Sequence, residues 1–300
     1  MHPAASVATA PDTDHLPAYR LFHDAVVRAQ LHSWLPRARH LIVDLSGPHS
    51  PAAELAALAG HKVLRVIDTT PASHAEGERS QAENGSGWAA DAHRGPPASQ
   101  RRAGADWSEE RGTSDEGRRR PERRAGGERD NRARGTIQLV ADSSRLSFLS
   151  DRCADDVIAD DRALSTHLAA EAMIAEIARV LRPAGRVLAC VDSLVLGMAA
   201  LADQHRWAHL VDLPHADVVL VPWPDGTITR CYGPDQVREL FTGAGLAVDW
   251  IRPRTVFSES MVAQVLRRDP ASLPKLVRAE LAARSDESLG AQLVIAASKH

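Results

Sequence analysis

A chain of 300 residues that is 44% hydrophobic can bury the core of one large α/β domain or two small ones. Its formal net charge of -3 gives no electrostatic basis for a nucleic-acid partner. Its three cysteines, Cys153, Cys190 and Cys231, are too scattered for a disulfide framework or a zinc site, so no metal is expected.

The first 15 residues, rich in Ala, Pro, Thr and Asp, read as a disordered tail. They lack the charged-then-apolar order of a signal peptide. No apolar run in the chain reaches the roughly 18 residues of a membrane span. The expected setting is cytoplasmic, with no membrane partner. Residues 17–38 carry apolar side chains at helical spacing. HLIVDLSG (40–47) reads as a buried strand that runs into a turn. PAAELAALAG (51–60) reads as a helix opened by Pro51 and closed by Gly60. KVLRVID (62–68) is a second strand, which completes a right-handed βαβ unit.

From Ala72 to Gly135 there is no Leu, Ile, Val, Phe or Met. Such a stretch buries too little apolar surface to offset its ordering entropy and reads as a disordered insertion. Strands resume at TIQLVAD (136–142) and DDVIAD (155–160). A long helix, ended by Pro183 and Gly185, and the strand RVLACV (186–191) follow. Next come a helix over about 194–209 and a hairpin, DVVLVPW and TITRCY around Pro224-Asp225-Gly226. PDQVRELFTGAG (234–245) is a helix, LAVDWIRP a strand, 258–284 helical and AQLVIAAS (291–298) the last strand. The alternation predicts an α/β fold, a doubly wound, mostly parallel sheet. Residues 16–300 form one domain in this reading, interrupted at 72–135.

In such a sheet, ligands bind beyond the carboxyl ends of the strands, where strand order reverses. The first turn there is DLSGPHS (44–50). Its small residues let a ligand approach the backbone, and the following helix offers free N–H groups. Asp68 ends the second strand, where a carboxylate can accept ribose hydroxyls. Asp142 ends the third, within reach of an adenine amino group.

In this order the positions resemble class I S-adenosylmethionine-dependent methyltransferases of the small-molecule type. Residues 44–50 fall where that family has its Asp-x-Gly-x-Gly-x-Gly loop. Asp68 falls 24 residues on, where the family has its ribose-binding acid. VADSSRLSF (140–148), DDVIADDRALSTH (155–167) and GPDQVRELFTGAGLAVDWI (233–251) resemble later parts of the family pattern. EIARVLRPAGRVL (176–188) is the most specific match. The likeness covers roughly 40–300 outside the insertion. It implies a Rossmann-like fold with a reversed last strand and S-adenosylmethionine as cofactor. It also implies a donor site built from Asp44, Ser46, Gly47, Asp68, Asp142, Ser143 and Asp160.

The donor loop is degenerate. Ser46, Pro48 and Ser50 stand where the glycines would be, and only Gly47 remains, one place out of register. Pro48 also lacks a backbone N–H. His167, beside the predicted site, and His205 and His209, after the fifth strand, are the candidate catalytic bases, with His215 next to them. His167 reads equally as a surface helix residue, and the other three read first as solvated surface histidines. The expected activity is methyl transfer to an O, N or C nucleophile of a small molecule. The alternative is a catalytically silent methyltransferase-like binding or regulatory protein. A nicotinamide-dependent oxidoreductase is disfavoured, because no GxGxxG follows the first strand.

Overall fold

The structure is a computed structural model that describes residues 16–47, 50–68, 136–213, 216, 218–223, 226–282 and 290–300. The expectations for the tail, the insertion, Pro48, His215 and the first two turn residues of the hairpin lie outside the described residues.

The apolar runs at 41–43 and 157–159 are the centre of the sheet, because a strand covered on both faces must be apolar on both. β1 (Leu41–Asp44) lies parallel to β2 (Lys62–Ile67) on one edge and to β4 (Ala154–Ala159) on the other. β3 (Thr136–Val140) extends the sheet beyond β2, and β5 (Leu181–Ser193) lies beside β4, both in parallel register. The last strand, β9 (Gln292–Lys299), runs antiparallel to β5, and β8 (Leu246–Arg254) runs antiparallel to β9. The mostly parallel sheet with a reversed last strand is therefore as expected from the sequence.

Alternate residues of each strand serve opposite faces. Val43, Val157, Val187 and Ala189 pack with α4 (Ala170–Val180) and α7 (Pro234–Gly243). Ile42, Ile158, Leu188 and Cys190 pack with α1 (Leu16–Trp34) and α2 (Ala52–Leu58) on the other face. A helix on each face makes the sheet doubly wound.

The Leu-Arg-Pro-Ala-Gly stretch has a local cause. Ala184 takes a left-handed φ of 62°. A Cβ at Gly185 would lie 2.8 Å from the Arg182 carbonyl oxygen and 2.9 Å from that of Asp155. Only glycine fits where the start of β5 presses against β4.

Two long helices expected from the pattern are each broken. The first consists of α5 (Leu194–Asp203) and α6 (Trp207–Asp212). At the break His205 has φ 55°, its N–H bonds the Ala202 carbonyl, and the Arg206 N–H bonds that of Leu201. This is a helix-terminating motif that usually uses glycine, and a histidine there carries no recognisable stop signal. The second consists of α8 (Glu259–Arg268) and α9 (Leu273–Ala282). Asp269 and Pro270 separate them, and the Asp269 carboxylate accepts from the Ala271 N–H and the Ser272 hydroxyl.

The hairpin forms as β6 (Val219–Pro222) and β7 (Ile228–Tyr232). β7 pairs with Asp192 and Ser193 at the tip of β5. β9 occupies the opposite edge of β5 there, so the hairpin sits on the edge that β4 leaves free, above the carboxyl end of the sheet. Among the described residues, no helix is long and apolar enough to cross a membrane.

Candidate functional site

Each parallel strand from β1 to β5 ends within two residues of an aspartate: Asp44, Asp68, Asp142, Asp160 and Asp192. Asp44 is fully buried. Its Oδ1 accepts the Ser46 N–H at 3.0 Å, and its Oδ2 takes no hydrogen bond among the described residues. The register places Arg65 opposite Asp44 on β2, with Nε 3.8 Å from Oδ2. Burial dominates, and with a smaller push from Asp160 it raises the Asp44 carboxyl to about 6 against the hydrogen bonds of Ser46 and the charge of Arg65.

The backbone of the turn is held from both sides. The Arg65 guanidinium donates to the Gly47 carbonyl at 2.9 Å, and the Asp160 N–H donates to Ser46 Oγ at 3.0 Å. A Cβ at Gly47 would stand 2.6 Å from Asp161 Oδ2. The glycine therefore makes room for the loop after β4.

Asp68, Ser143 and His167 come together. Asp68 Oδ2 accepts from the Ser143 hydroxyl and, at 3.4 Å, from the Ser143 N–H. His167 Nε2 lies 2.6 Å from the same oxygen and 2.9 Å from Ser143 Oγ. Its Nδ1 faces the Ala163 carbonyl at 2.7 Å, which makes Nδ1 the donor there. Burial opposes a charge on the ring. The Asp68 hydrogen bond, the Ala163 carbonyl and the charges of Asp68 and Asp142 outweigh it and hold His167 above its ordinary 6.5. Asp142 closes a local turn: its Oδ1 accepts the Ser144 N–H at 2.8 Å and the Ser144 hydroxyl at 2.6 Å.

The Asp160 side chain engages Arg254, whose Nη1 is 2.8 Å from Oδ1 in a pair sealed from solvent. His205 and His209 are exposed, and among the described residues neither side chain bonds any of the strand-end acids. The His205 ring lies against Trp207, with centroids 5.9 Å apart.

Sequence reading missed three participants. Arg162, at the start of α3 (Ala163–Thr166), holds the buried Asp192 through Nε and Nη2 at 3.0 and 2.8 Å. Its guanidinium also lies over the Trp223 ring of the hairpin at 5.5 Å. Asp161 and Arg162 both adopt left-handed backbone, φ 56° and 62°, which costs energy for non-glycine residues. The third is Arg254.

No model of a known protein family matches the chain, and no curated protein matches its sequence. Solved structures do match in shape. A candidate S-adenosylmethionine-dependent methyltransferase from Listeria monocytogenes superposes with a TM-score of 0.50 at 11% identity, over 92% of this chain and 98% of its own. The fold is the Rossmann-like methyltransferase fold. A Mesorhizobium loti S-adenosylmethionine-dependent methyltransferase matches at TM-score 0.47 and 13% identity, over 93% and 100% of the two chains. The Burkholderia thailandensis 1,6-didemethyltoxoflavin-N1-methyltransferase, solved with 1,6-didemethyltoxoflavin and S-adenosylhomocysteine, matches at 0.45 and 15%, over 99% and 93%.

Proposed function

We propose that this protein is a methyltransferase that uses S-adenosylmethionine to methylate an O, N or C nucleophile of a small molecule. The observation that carries the reading is the convergence of Asp44, Asp68 and the Asp142–Ser143 pair on the carboxyl edge of a sheet with the methyltransferase fold. Residues of these types fit the donor's groups. Asp44 keeps a buried oxygen, Oδ2, without a hydrogen bond among the described residues, and the donor carries a cationic amine. Asp68 provides a carboxylate for ribose hydroxyls, and Asp142 and Ser143 lie beside it for the adenine. Gly47 and Ser46 form the turn against which the donor's amino-acid end would rest.

When bound, S-adenosylmethionine supplies an activated methyl on a sulfonium. The chain itself aligns the acceptor and excludes water. Arg162, clamped to Asp192 and Trp223, holds the hairpin over the edge where an acceptor would enter. His167 is engaged with Asp68 and serves to orient that carboxylate. His205 and His209 are exposed in this arrangement.

One observation favours the silent-scaffold alternative. Asp68 Oδ2 is already engaged by Ser143 and His167, and those contacts compete with a ribose. Isothermal calorimetry with S-adenosylmethionine and S-adenosylhomocysteine tests the proposal. Saturable binding of both, weakened by Asp68→Ala, is the expected result. Absence of binding by the wild type sinks it and leaves the scaffold reading.

A further inference from the structure

Arg254 lies at the carboxyl-edge end of β8 and is 1% exposed. Its fork is spread over three elements. Nη1 donates to Asp160 Oδ1 at 2.8 Å and contacts Cys190 Sγ of β5 at 3.5 Å. Nε donates to Gln30 Oε1 of α1 at 2.6 Å. His23, two turns before Gln30 on the same face of α1, reaches Gln292, which lies opposite Arg254 on β9. Burial, and next the nearby Arg254 charge, lower the His23 pKa.

Asp160 connects this cluster to the donor turn. Its own N–H donates to Ser46 Oγ, and the Ser46 N–H donates to Asp44 Oδ1. The residue after Asp160 puts its carboxylate against Gly47. A continuous path of directed bonds thus runs from α1 and β8 through Asp160 to the 44–47 turn.

Packing alone does not call for such a pair. Desolvating two charges is costly, and apolar side chains of similar volume would bind α1 to the sheet at least as well. What apolar groups lack is direction. The guanidinium fork fixes the orientation of the Asp160 carboxylate, and with it the peptide that meets Ser46.

We propose that Arg254 is a positioning residue for the donor turn: by fixing Asp160 it fixes Ser46 and the 44–47 backbone, without touching the donor. Its consequence for binding rests on the donor reading above. Arg254→Lys keeps the charge but loses the fork. Leu266→Ala, in the apolar contact between α1 and α8, weakens the same neighbourhood without reaching Asp160.

Three measurements on the full chain decide it: melting temperature, affinity for S-adenosylhomocysteine, and amide hydrogen exchange at Ser46 and Asp160. Arg254→Lys should bind about tenfold more weakly, the size of one lost charge-assisted hydrogen bond, and exchange faster at both amides. Leu266→Ala should melt earlier yet keep affinity within about twofold and exchange unchanged at those amides. The proposal is overturned if Arg254→Lys leaves both amides protected as in the wild type. It is equally overturned if Leu266→Ala deprotects them as much. If the wild type binds no S-adenosylhomocysteine, the donor reading fails, and the exchange measurement alone still decides whether Arg254 holds the turn.

Discussion

On the proposed reading, donor recognition turns on Asp68. Asp68→Ala removes a charged acceptor and should weaken donor binding by about 1–3 kcal/mol, read by calorimetry on folded variant. The same carboxylate gives the His167 ring a pH-dependent role. The ring's folded pKa lies above its ordinary value, so the folded state binds the proton more tightly. The stability contributed by the Asp68–His167 pair is full below about 6.5 and is lost as pH rises through the higher folded pKa. The melting temperature of His167→Gln should therefore lie furthest below wild type at pH 6 and converge on it in mildly alkaline buffer. A gap that widens with pH would contradict the pairing. Asp44 has a pH dependence of the same sign from a different cause, burial of its charged form. Its carboxyl is raised from 3.8 to about 6, so the folded state becomes less stable as pH rises across that window. The melting temperature of Asp44→Asn relative to wild type should rise between those values and level off above them. The strand-end acids Asp44, Asp68 and Asp142 were legible because the ends of parallel strands are where such sheets bind ligands. Arg162 and Arg254 were not, because their partners Asp192 and Asp160 lie 30 and 94 residues away and no local pattern marks them.

At the scale of elements, helices and strands were legible wherever apolar spacing agreed with a stop signal. Pro and Gly flank α7 as the sequence suggests, and Gly185 proves necessary to the β4–β5 contact. The reading failed at α5–α6, because His205 takes the conformation that glycine normally supplies. At α8–α9 the Asp269-Pro270 step is itself a stop signal, and the reading of 258–284 as one helical stretch passes over it. The helices between β8 and β9 depend on a polar anchor. Glu280 of α9 is 3% exposed, and its carboxylate accepts the Val256 N–H at 2.9 Å and the Phe257 N–H at 3.3 Å. Glu280→Ala leaves two backbone donors without that acceptor and should cost about 1–3 kcal/mol in urea unfolding. A change below about 0.5 kcal/mol would show that water replaces the carboxylate.

Across the whole molecule, the strand order with its reversed last strand joins a buried turn after β1 to polar clusters contributed by α1, β2, β4, β5 and β8. The 44–47 turn is thus held by parts of the chain far from it in sequence. The residue types of the turn become intelligible on that basis: Ser46 supplies an acceptor to Asp160, a role no glycine can fill, and Gly47 gives space to Asp161. The central claim is that this edge of the sheet receives S-adenosylmethionine. The most direct measurement is a titration of S-adenosylhomocysteine into the isotopically labelled full chain, followed by amide NMR. The account predicts saturable shifts concentrated at Leu45, Ser46, Gly47, Asp68, Ser143 and Asp160. No saturable shift, or shifts confined to α8 and α9, which pack against α1, would contradict it.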